Sequence, residues 1–85
     1  MLDFEGMLAE LIPDAGSFEN IPWETMYGET LTLGVMTDEY VDNCIQYHKG
    51  MLEMAEVTLH MSHVIDCCKF IIYIQEMNKK RLNIH

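Results

Sequence analysis

The first forty-eight residues contain no lysine and no arginine. Ten carboxylates lie in the same stretch: Asp3, Glu5, Glu10, Asp14, Glu19, Glu24, Glu29, Asp38, Glu39 and Asp42. Lys49 is the first cation, and from there to His85 four acids face five bases, so nearly all of the formal charge of −9 falls on the N-terminal half. A field of that sign repels nucleic acid and anionic membrane and speeds encounter with cationic protein surfaces. It bears on partners and names no reaction.

Other absences narrow the field further. The longest strongly apolar run, Phe70 to Ile74, falls well short of the roughly twenty residues that span a bilayer, so no membrane insertion is expected. No cationic stretch precedes an apolar one near Met1, so no signal peptide is read and the cytoplasm is the expected compartment. Gly6, Gly16, Gly28, Gly34 and Gly50 are scattered and form no phosphate loop. The three cysteines, Cys44, Cys67 and Cys68, include no CxxC pair. Neighbours on a helix point about 100° apart, so Cys67 and Cys68 are not expected to bridge, and free thiols packed as small hydrophobes are the expected state.

What is present is a hydrophobic content of 49%, enough for one domain over residues 1–85 with a small core. Phe4, Met7, Leu8, Leu11 and Ile12 recur at helical spacing and predict a short helix over Leu2–Ile12 that Pro13 ends. Residues 13–22 read as loop. Trp23–Tyr27 and Thr30–Val35 predict a hairpin turning at Gly28 and Glu29, with Leu31, Leu33 and Val35 facing inward and Thr30 and Thr32 facing water. Thr37 is a good N-cap, and Asp38 and Glu39 suit the first turn of the helix that follows. Val41, Cys44, Ile45, His48, Leu52, Ala55 and Leu59 form one stripe running through Gly50. The phase is lost near His60–His63. A second stripe, Val64, Cys67, Cys68, Ile71, Ile74 and Met77, leads to Lys79, Lys80 and Arg81, where cations suit a helix C-terminus. The fold class is α+β and mostly helical: a short N-terminal helix, a β-hairpin and two longer antiparallel helices.

Several constellations bear on chemistry. Cys44 and His48 are four residues apart, and His60, His63 and Cys67 are spaced three and four, so each set shares a helix face. Soft ligands at such spacing can hold zinc or copper, with Met51, Met54 and Met61 nearby. In a hairpin turning near Ser62, however, His48 lies opposite Glu76 and roughly 20 Å from His60, so the two sets do not make one site. Satisfied or exposed histidines and core thiols are the simpler reading, and no cofactor is implied. Cys44 beside His48 is also the pattern of a thiolate pair, but a thiol on an apolar stripe is expected to be inert. Glu53 and Glu56 fall on the outer helix face, where solvation explains them. Met51 and Met54 read as core or near-core fillers.

Between Trp23 and Ile45 the sequence WETMYGETLTLGVMTDEYVDNCI resembles a group of small phage and prophage proteins. The resemblance rests on Trp23, Thr25, Gly28, Leu31, Leu33, Met36, Thr37, Asp38, Asn43, Cys44 and Ile45, and on the closing helix KFIIYIQEMNKKRL. Tyr40 stands where that group has histidine. YVDNCIQYHKGMLEMAE with FIIYIQ is similar to histidine-rich, ferritin-like bacterial helical domains through His48, Met51, Glu53, Met54, Ala55 and Gln75. There Tyr47 replaces the first histidine of a pair. The first resemblance implies a phage-type interaction protein, and the charge implies a basic host protein surface as its partner, met by Glu24, Glu29, Asp38, Glu39 and Asp42. Inhibition of a nucleic-acid-handling defence protein, in the manner of an anti-CRISPR, is the concrete form of that expectation. The rivals are a metal-binding helical domain and a structural homodimer; catalysis and direct nucleic-acid binding are not expected.

Overall fold

The computed structural model describes residues 3–25, 28–59 and 62–83, with backbone alone at 58 and 59. Its contacts gather into two compact units, Asp3–Thr37 and a second that begins at Asp38. The architecture has a short helix, a two-stranded antiparallel hairpin and two longer helices, as the pattern of the sequence predicts.

In the first unit, α1 spans Phe4–Ala15. Asp3 caps it, its carboxylate accepting from the Gly6 amide at 3.0 Å. Such a cap is worth about 1 kcal/mol over alanine. A Cβ on residue 6 would lie 2.3 Å from that carboxylate, so the glycine that weakens the helix interior also makes room for its cap. Pro13 does not end α1, contrary to expectation. The helix carries it in the last turn and closes at Gly16, which adopts φ 93° and donates its amide to the Ile12 carbonyl at 2.8 Å. The left-handed glycine, rather than the proline, sets the terminus. A 3-10 turn, Phe18–Asn20, follows within the expected loop and contacts α1.

The hairpin is shorter than the alternation predicts. β1 is Pro22–Glu24 and β2 is Thr30–Thr32, with Trp23 opposite Leu31 and Glu24 opposite Thr30. The Gly28 amide reaches the Thr25 carbonyl at 3.0 Å and the Thr25 amide reaches Glu29 at 2.7 Å, while Gly28 takes φ 82°. A left-handed glycine closing a short connection matches the twist of the strands it joins. The expected strand residues Met26 and Tyr27 lie outside the described residues. Leu33–Val35 is a 3-10 turn, not strand, so Leu33 is fully buried as expected whereas Val35 is 64% exposed. The turn curls because it must pass the backbone of Glu19: a Cβ on Gly34 would sit 2.9 Å from the Glu19 Cβ and 3.1 Å from its carbonyl oxygen. Among the described residues, Leu8, Ile21, Leu33 and Met36 are the buried apolar residues of this unit.

In the second unit, α2 spans Asp38–Met54 and passes through Gly50 unbroken. Val41, Ile45 and Ala55 are buried, on the stripe the spacing predicts. The side chain of Leu59, assigned to that stripe, lies outside the described residues. Ala55–Leu59 winds as a π segment, so the helical phase shifts several residues before the break expected near His60. α3 spans Ser62–Leu82 and packs against α2. Asp42 pairs with Lys79, and Lys49, further along α2, pairs with Glu76, further back in α3, so the two helices run antiparallel.

The buried face of α3 differs in part from the predicted stripe. Cys68 and Ile74 are buried, but Cys67 is exposed and Met77 is 37% exposed. Gln75 and Asn78 are instead fully buried. Gln75 follows Cys68 by two turns and Asn78 follows Ile71 by the same interval, so both are in phase with the apolar residues despite their amides.

Candidate functional site

The acidic residues expected to meet a partner fall into two groups, one in each unit. Glu24 and Glu29 lie at the turn end of the hairpin, and both are exposed. Asp38, Glu39 and Asp42 lie in the opening turns of α2; the first two are exposed and Asp42 is half-buried. The spacing from Asp38 to Asp42 places both on one face of the helix. Helix formation orders these three because acids in a first turn offset the positive end of the helix dipole.

Asp42 is not wholly available to a partner. Its carboxylate accepts a hydrogen bond from the Lys79 ammonium of α3. That bond, reinforced by the charges of Asp42 and Asp38, raises the Lys79 pKa against the opposing effect of desolvation. Of the tail cations, Lys79 is thus joined to Asp42, and the Arg81 Nε donates to Asn78 Oδ1 at 3.0 Å. The Asn83 side chain donates to the Lys79 carbonyl at 2.9 Å and closes the helix end. Lys79 therefore serves the pairing of α3 to α2, and Arg81 the end of α3 itself.

The first unit is the more sharply polarised of the two. Residues 3–37 contain seven carboxylates (Asp3, Glu5, Glu10, Asp14, Glu19, Glu24 and Glu29) and no lysine, arginine or histidine. All seven are exposed. Sequence reasoning selected only Glu24 and Glu29 here, because the boundary that makes residues 3–37 a compact body is a property of contacts.

The possible ligand sets resolve differently. His48 Nδ1 lies 2.8 Å from the Cys44 carbonyl oxygen, an atom that can only accept, so Nδ1 carries the proton. The same nitrogen is 3.5 Å from Cys44 Sγ. Being protonated, Nδ1 can neither take the thiol proton nor bind a metal while that bond holds. Burial also pushes the Cys44 thiol pKa up, away from the thiolate. The Cys44–His48 pair is therefore neither an activated nucleophile nor a pre-formed chelate in this geometry. His63 Nε2 and Cys67 Sγ approach to 3.7 Å on an exposed face of α3. His60, the proposed third member of that set, lies outside the described residues, as does Met61. Among the described residues no three His, Cys, Asp or Glu side chains converge as a metal site would require.

Met54, expected near the core, is 60% exposed, whereas Met51 is half-buried. Glu53 and Glu56 are exposed, as their helix face predicts. No helix among the described residues is long and apolar enough to cross a membrane. Comparison with protein-family models, curated proteins and solved structures finds no match to the chain.

Proposed function

We propose that this protein is a small acidic interaction module that docks on a basic protein surface. In its most concrete form it is a phage-type inhibitor covering the nucleic-acid groove of a host defence protein, anti-CRISPR-like in action. One observation carries the reading: residues 3–37 fold as a compact body whose seven carboxylates are all exposed and whose sequence contains no cation to neutralise them. Repulsion among like charges opposes compactness, so such a surface is more readily understood where cationic side chains are to be met. Asp38 and Glu39, exposed in the first turn of α2, extend the same chemistry to the second unit. The resemblance of Trp23–Ile45 to small phage proteins agrees with this use.

The test is titration of the purified protein against an RNA-guided nuclease loaded with its guide, with and without target DNA. Binding should compete with the DNA and weaken steeply with salt, because exposed charges are screened within about 8 Å at physiological ionic strength. Replacing Asp38, Glu39 and Asp42 together by their amides should slow association by roughly tenfold. Binding indifferent to salt would reject the electrostatic reading, and binding without competition would reject groove occupancy.

A further inference from the structure

Two helix-borne pairs of cysteine and histidine have the same four-residue spacing, and the fold treats them oppositely. Cys44 and His48 are half-buried, and the imidazole commits its Nδ1 proton to a backbone carbonyl. His63 and Cys67 are both exposed in the opening turns of α3, with His63 Nε2 3.7 Å from Cys67 Sγ. Neither the acidic docking reading nor the pairing of α2 to α3 uses this second pair.

The separation is that of two ligands on one ion. Zinc takes thiolate sulfur at about 2.3 Å and imidazole nitrogen at about 2.0–2.1 Å, so tetrahedral ligands of these kinds stand about 3.6 Å apart. The pair holds 3.7 Å on a helix of 21 residues, and chelation requires little rearrangement. Exposure of both side chains gives an ion a path to them. One thiolate and one imidazole are donors that zinc favours over oxygen-seeking cations.

One chain supplies half of such a site. A structural zinc takes four protein ligands, and among the described residues no third His, Cys, Asp or Glu joins these two. The remaining donors must come from outside the chain, and a second copy offers the same two at the same spacing. A two-fold axis through the ion brings them in, since an isologous contact presents the same patch from both sides. Two thiolates and two imidazoles are a common tetrahedral set for zinc. Each neutral imidazole lends a lone pair and each thiol gives up its proton to water, so two protons leave per ion. The divalent ion and two thiolates then sum to zero, and the junction adds nothing to the repulsion between two chains of formal charge −9.

We propose that His63 and Cys67 form half of a zinc-class metal site, completed by the same two residues of a second copy across a two-fold axis. The ion itself joins the chains. This inference does not rest on the acidic docking reading, and its test contains no basic partner, so either can fail alone.

The test uses the full chain, reduced and metal-free, with zinc chloride as the probe. Sedimentation equilibrium should show a monomer in the presence of chelator and a dimer with zinc, saturating at one ion per two chains. Cobalt(II) in place of zinc should give thiolate-to-metal charge-transfer absorption and the intense visible bands of tetrahedral coordination. Cys67→Ser and His63→Gln should each abolish the zinc-dependent dimer and leave helical circular dichroism unchanged, since both side chains are exposed. His48→Gln, in the other pair of the same spacing, should leave the dimer intact. Zinc should also slow maleimide labelling of Cys67 at least about tenfold without changing that of Cys44. A monomer at every zinc concentration would overturn the proposal, as would binding of one ion per chain. A dimer that persists in chelator or survives Cys67→Ser would overturn it equally.

Discussion

Lys79, near the end of α3, donates a hydrogen bond to the carboxylate of Asp42, thirty-seven positions earlier in α2. The contact gives Asp42 two roles, as a member of the acidic opening of α2 and as one end of an ion pair that holds two helices together. Both side chains are partly solvated, so water and salt weaken the pair.

Asp42→Asn is accordingly expected to lower the melting temperature in low salt, with the difference shrinking as salt is added. Glu39→Gln, at an exposed position outside that pair, should leave a smaller change in melting temperature and act chiefly on the rate of association with a basic partner. Thermal melts of both variants at two salt concentrations check the contrast. Equal melts would mean that the Lys79 pair does not contribute to stability.

Stability should fall on the alkaline side. Burial raises the Cys44 thiol pKa, and burial with the neighbouring Cys67 raises that of Cys68, while hydrogen bonding to Asp42 raises that of Lys79. In each case the folded state holds its proton more tightly than the unfolded chain. The contribution is therefore fully present below the ordinary value of the group and lost as pH rises through the folded one. Urea midpoints should hold to about pH 9, decline above it as the thiols of the unfolded chain ionise, and decline further above about pH 10.5 as Lys79 joins. A midpoint unchanged between neutrality and pH 11 would contradict all three shifts.

The thiols should separate kinetically. Cys67 is exposed, Cys44 is half-buried and Cys68 is only 2% exposed. Reactivity follows thiolate content and access, both of which burial lowers at Cys44 and Cys68. Limiting maleimide at neutral pH, read by peptide mass spectrometry, should modify Cys67 at least about tenfold faster than either of the others. Faster labelling of Cys44 would revive the thiolate-pair reading with His48.

Two glycines should respond in opposite directions to the same methyl group. Gly50→Ala places it in open space within a helix and should stabilise by up to about 1 kcal/mol, equivalent to roughly 4–8 °C in a domain of this size. Gly34→Ala drives it to 2.9 Å from the Glu19 Cβ and 3.1 Å from its backbone oxygen, so the two 3-10 turns must part. A cost of about 1–3 kcal/mol is expected for such overpacking. Chemical denaturation of the pair checks both signs.

Sequence periodicity and composition alone determined the helical class, the hairpin, the antiparallel helix pair, the inward placing of Val41, Ile45 and Ile74, and the segregation of charge. These follow from which side chains share a face and from the order of charges, and both are local properties of the chain. Tertiary structure decided the rest. It curled Leu33–Val35 out of the strand where Gly34 passes Glu19, and it carried α1 past Pro13 to a left-handed Gly16. It buried the amides of Gln75 and Asn78, left Met54 and Cys67 in water, and joined Asp42 to Lys79. The physical reason is common to all of them. A repeat of 3.6 residues says which side chains align, but whether a face is covered, and by what, depends on groups distant in sequence whose approach no local pattern records.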